Sequence, residues 1–85
     1  MRERFRHPQG DGTDLVIQEF PGTQGSIWAL VRDSRGTTGS ETVMLCQAAT
    51  ADEVVTECVR LLRAQHGGRP ETWRAVVAES LEPSF

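Results

Sequence analysis

The side chains able to do chemistry in this chain are few and scattered. His7 and His66 are its two imidazoles, and histidine is the residue whose ordinary proton affinity suits general-base work near neutral pH. Such a base also needs a nucleophile in reach and a carboxylate to orient the ring, and the spacing around His7 and His66 suggests neither. The two thiols, Cys46 and Cys58, match neither a zinc ligand pair nor a Cys-x-x-Cys redox motif. Cys58 falls within an apolar stripe, where cysteine behaves as a small hydrophobe, and Cys46 alternates with strand residues. Both are expected to be buried and inert, because a reactive thiolate needs exposure and a cationic neighbour.

Two loops carry weaker signals. Asp11-Gly12-Thr13-Asp14 brings two carboxylates near a turn without the ligand count or closing glutamate of a calcium loop. Gly36-Thr37-Thr38-Gly39-Ser40 offers N–H groups and hydroxyls that could cradle a phosphate. It lacks the lysine of a Walker loop and precedes a strand rather than a helix. The expectation is a non-enzyme with no catalytic residue, no metal site and no cofactor.

The elements that must hold these residues are more legible. Thr50 followed by Glu53 fits a capping box, and Ala51, Val54, Val55, Cys58, Val59 and Leu62 recur at helical steps on one stripe. Gly67 and Gly68 stop that helix at about His66. Its outer face runs from Asp52, Glu53 and Glu57 to Arg60 and Arg63, the order that complements the helix dipole. A second helix is predicted from Pro70 to about Leu81, with Trp73, Val76, Val77 and Leu81 on one face and Pro83 beyond it.

Upstream, LVIQEF (15–20), SIWALVRD (26–33) and ETVMLCQAA (41–49) read as three strands. The segments PGTQG and DSRGTTGS serve as turns. Short connections favour a three-stranded antiparallel meander, so the expected fold is α+β in the order β-β-β-α-α, a single domain over residues 14–82. Residues 1–13 read as a flexible polar arm carrying Arg2, Arg4, Arg6 and His7.

Alternation would give one sheet face Val16, Phe20, Trp28, Leu30, Met44 and Cys46. The other would receive Leu15, Ile17, Ile27, Ala29, Val31, Val43 and Leu45. Both faces are apolar. One helix covers one face, so the second calls for helix two or another protein.

Three strands and a helix, with Trp28 entering the second strand, an Arg32-Asp33-Ser34-Arg35-Gly36 hairpin tip and Thr50-Ala51-Asp52-Glu53 opening the helix, form a layout over about residues 14–66. It resembles the small arm-site DNA-binding domains of tyrosine recombinases. That resemblance implies DNA reading from a basic and polar sheet face, whereas these strands hold only Arg32 as a base. It is a likeness of layout, and no functional residue is carried over.

At 85 residues and net charge −3, the chain has room for one core and no global attraction to nucleic acid or anionic membrane. All nine basic residues are arginine, a bias attributed to a GC-rich coding sequence. No apolar run approaches a membrane span, and Met1 to Gly10 lacks the apolar core of a secretion signal, so a cytoplasmic location is expected. The functional expectation is a protein-interaction module, a homodimer included, binding through an apolar sheet face or helix two. Trp28, Leu30 and Trp73 would make the contact, with Arg60 and Arg63 on its rim. The alternative is nucleic-acid binding by Arg2, Arg4 and Arg6 of the arm with Arg32 and Arg35 of the hairpin tip.

Overall fold

The computed structural model describes residues 1–36 and 39–81, leaving aside the side chains of residues 35 and 40. The chain runs β1 (Arg2–Pro8), β2 (Thr13–Phe20), β3 (Ile27–Gly36), β4 (Gly39–Ala48), α1 (Ala51–His66) and α2 (Pro70–Leu81). The strands form one antiparallel sheet in the order β1-β2-β3-β4. The α+β class and both helices agree with the sequence reading, but the sheet has four strands where three were expected.

The added strand comes from the segment read as an arm. Gly10 and Gly12 take φ of 86° and 89°, left-handed values that glycine adopts without a Cβ clash. Between them Asp11 accepts from the Thr13 backbone N–H at 2.9 Å and from its hydroxyl at 2.5 Å. The Gln9 N–H closes the turn on the Thr13 carbonyl at 2.9 Å. β1 thus folds back on β2, with Phe5 opposite Ile17 and Arg6 opposite Val16.

The β3–β4 hairpin is also longer than expected. Strand pairing continues to Gly36 opposite Gly39, so most of the expected eight-residue loop is ladder. Thr37 and Thr38 lie outside the described residues, as does Pro83. Backbone that the sequence offered as a phosphate cradle is therefore largely committed to strand pairing.

Register corrects the face assignments. Ile17 stands opposite Leu30, and Leu30 opposite Cys46, so Leu15, Ile17, Trp28, Leu30 and Cys46 share one face with Phe5. Val16, Ala29 and Val31 take the other face. Phe20 and Ile27, paired with each other, and Met44, opposite Val31, lie there too. An extra residue, Leu45, makes a bulge in β4 between the Leu30 and Val31 pairings.

Both helices cover the same face. Val54, Val55, Cys58, Val59 and Leu62 of α1 and Val77 of α2 join Phe5, Leu15, Ile17 and Leu30 in one core, with α1 over β2, β3 and β4 and α2 beside β1. The α1 stripe is as the spacing predicts. In α2, Val77 is fully buried, with Trp73 and Leu81 at its flanks, whereas Val76 is exposed. Val76 is one residue, or about 100°, out of line with that trio.

Capping is half as expected. Gly67 ends α1 with φ 74° and its N–H on the Arg63 carbonyl. At the other end the Thr50 hydroxyl donates to the Glu53 carboxylate at 2.9 Å rather than accepting from the backbone. The capping box is therefore replaced by a side-chain pair.

Candidate partner-binding site

With both helices on one side, the opposite sheet face has no element over it among the described residues. Its centre, Val16, Ala29 and Val31, is nonetheless at most 2% exposed, because neighbouring side chains on the same face shield it. Arg6 stands directly across from Val16, and its long aliphatic stem can lie along apolar surface while the head stays polar.

That head is held by three carboxylates. Arg6 donates to Asp14 at 2.5 Å, to Glu3 at 2.7 Å and to Asp33 at 3.1 Å. The Glu3 bond, then the Asp14 bond, raises the guanidinium pKa further above its ordinary value, against desolvation. The β1 side of the open face is thus a fixed polar roof. On the β2 to β4 side the large apolar residues are exposed: Phe20 at 40%, Ile27 at 46% and Met44 at 55%. These three make the candidate contact surface, and the expectation of an unbroken apolar face is corrected accordingly.

The residues expected to make contact are placed elsewhere. Leu30 is fully buried between sheet and helices, so its side chain does not reach the surface. Trp28 is half-buried on the helix side, with the Arg4 guanidinium 5.5 Å from its ring centroid. Trp73 is half-buried on α2, its indole N–H donating to the Gly67 carbonyl at 2.7 Å.

Arg60 and Arg63 do come together. With Arg74, Thr56, Glu57 and Pro70 they line an open groove of about 260 Å³ between α1 and α2. Arg60 forks onto Glu57, whose pKa it lowers. Arg63 donates to the Gly68 carbonyl at 3.2 Å, and Arg74 reaches Thr56 at 3.2 Å and Asp52 at 3.4 Å. The groove is basic, but each of these arginines already has an acceptor in the chain, and at such exposure the ion pairs contribute little.

Two of the arginines of the nucleic-acid alternative are held by acceptors within the chain. Arg4 pairs with Glu19 and donates to the Leu81 carbonyl at 2.6 Å, and Arg6 is engaged as described. Glu19 also accepts from the Ser26 hydroxyl at 2.5 Å, which first, and Arg4 second, holds its carboxyl below the usual range. Arg2 and Arg32 are exposed on β1 and β3, and the side chain of Arg35 lies outside those described.

The structure gathers one cluster that spacing does not reveal. His7 of β1, His66 at the end of α1 and Trp73 of α2 meet with ring centroids 5.2 to 5.7 Å apart. His7 Nδ1 lies 2.8 Å from the Pro8 carbonyl; a carbonyl only accepts, so that nitrogen donates. The rings join three elements at one corner. The two thiols lie apart from this corner: Cys58 is buried in the core, whereas Cys46, expected to be buried, is half-buried against it, and desolvation pushes Cys46 up and Cys58 up to about 12. Among the described residues, no group of three or more His, Cys, Asp or Glu is placed to hold a metal ion.

No protein-family model, curated protein or solved structure matches the chain. The four-stranded sheet also departs from the three-strand layout of the arm-site domains.

Proposed function

We propose that this domain is a small, non-enzymatic protein-binding module that engages its partner through the open face of the sheet. One observation carries the reading: both helices share a face, and the uncovered one exposes Phe20, Ile27 and Met44 beside a fixed ionic roof. Apolar side chains flanked on one side by oriented charge suit an interface with a desolvated centre and a polar rim. Phe20, Ile27 and Met44 supply the contact area, and the Arg6 cluster supplies orientation and penalises badly placed charge.

The test is site-specific photo-crosslinking from Ile27, identification of the captured protein, and reconstitution with that protein in pure form. Ile27→Ser and Phe20→Ser are expected to weaken the purified complex at least tenfold, whereas Thr72→Ala on α2 leaves it unchanged. A complex indifferent to Phe20 and Ile27, or captured equally from Thr72, overturns the reading.

A further inference from the structure

We propose that β4 pairs edge to edge with β4 of a second copy of this chain, antiparallel about a two-fold axis near Val43, to give a continuous eight-stranded sheet. This rests on the reading of the domain as a protein-binding module and names a partner for it.

The two sheet edges differ in kind. β1 carries Arg2, Glu3, Arg4 and Arg6, is irregular between Glu3 and Phe5, and ends at Pro8, which has no N–H to offer. Charge, bulges and proline are the devices that keep an edge strand from pairing. β4 has no proline, and Glu41 is its one charged residue. Its bulge at Leu45 leaves Gly39–Met44 as a regular run with one edge turned outward; about an axis at Val43 the regular stretch shared by both copies is Thr42–Met44, and Gly39–Glu41 meet Leu45–Gln47 across the bulge. No described strand lies on its outer side.

The side chains at this edge are open on both flanks. Val43 is 49% exposed and Met44 55%, and adjacent strand residues point to opposite faces. A new strand would therefore bury apolar surface above and below the sheet as well as satisfying backbone groups.

Self-complementarity selects a second copy. With the axis at Val43, that residue meets Val43 of the second copy, and Met44 meets its Thr42 on the open face. Glu41 stays about 14 Å from its counterpart, four residues along the strand, so no like charges face each other. Pairing β4 with β1 of another copy would meet the charged, bulged edge and would propagate as an open fibre; the two-fold arrangement closes. Strand pairing of this length buries less than the roughly 1,000 Å² of a stable interface, so the dimer is expected to be weak and reversible. It would also bring the two open faces side by side.

The experiment is sedimentation of the full chain from about 10 µM to about 1 mM, with amide exchange followed by NMR across the same range. A dimer whose formation slows exchange at β4 amides at least tenfold supports the proposal, as does its loss in Val43→Lys and retention in Val43→Thr. Should Val43→Lys fail to fold, Val43→Glu serves in its place. A monomer at 1 mM overturns the pairing. So does a dimer that survives the charged substitution at Val43 but dissociates with Phe20→Ser, an outcome that leaves the open-face reading standing. Protection of β4 only on adding a foreign extended peptide also overturns it.

Discussion

Arg6 on β1 donates to Asp33 on β3 at 3.1 Å, reaching across the full width of β2. The same guanidinium holds Asp14 and Glu3, so one cation fastens three carboxylates above the Val16–Ala29–Val31 cluster.

Arg6→Ala removes the shared cation and part of that cover. The expected loss is about 2 kcal/mol, between the small value of exposed pairs and the 3–5 of buried ones. Arg6→Lys restores charge but not the planar fork, so about half of the loss should remain. Urea denaturation of the two variants measures both values; equal stability of Arg6→Ala and the parent chain would refute the role.

The Cys58 thiol is pushed up to about 12 by burial, with Cys46 adding to the shift. Because the folded-state value is raised, its stabilising contribution is complete below about pH 9 and is lost as pH rises towards 12, where the unfolded chain ionises first. Denaturation midpoints should fall over that window and fall less in Cys58→Ala. At pH 8 a thiol reagent should label Cys46 well before Cys58, whose labelling should track unfolding.

Gly68 has φ of 91°, and a Cβ there would lie 3.2 Å from Trp73 Nε1. Gly68→Ala therefore combines left-handed strain with pressure on the indole, for an expected cost of about 1–2 kcal/mol. In a Trp28→Phe background the remaining tryptophan emission should shift, reporting Trp73 displaced from the two histidine rings. Unchanged emission and stability would count against this contact.

Leu30 and Ile27 separate core from contact surface within one strand. Leu30→Ala should cost about 3 kcal/mol through the cavity it leaves. Ile27→Ser should change stability by less than about 1 kcal/mol, as surface substitutions do. A comparable loss from both, measured by thermal unfolding, would mean that Ile27 is packed in solution.

Local signals carried the helices and three of the strands. The α1 stripe from Val54 to Leu62 and the Gly67 stop depend on neighbours within a few turns, and spacing reveals them. β1 was hidden because Phe5 is its only large apolar residue facing the core; the strand is held by Arg4–Glu19 and Arg6–Asp14 pairs across the hairpin. The available signal was charge complementarity between RERFR and the ends of TDLVIQEF. Face membership was hidden for another reason. A one-residue change of register exchanges the faces, so Leu30 read as a contact residue and Ile27 did not. The His7–His66–Trp73 corner needs three elements in place, and no pattern within any one of them predicts it.

The Arg4 bond to the Leu81 carbonyl ties the first strand to the final turn of α2, and His7 meets Trp73 on that same helix. A ribosome delivers these partners after the other five elements. β2, β3, β4 and α1 can assemble from neighbours as they emerge, whereas the inner side of β1, although synthesised first, waits for α2. Vectorial synthesis therefore leaves β1, made ahead of the other five elements, among the last of them to settle, and stalling before residue 81 would leave that strand incompletely docked.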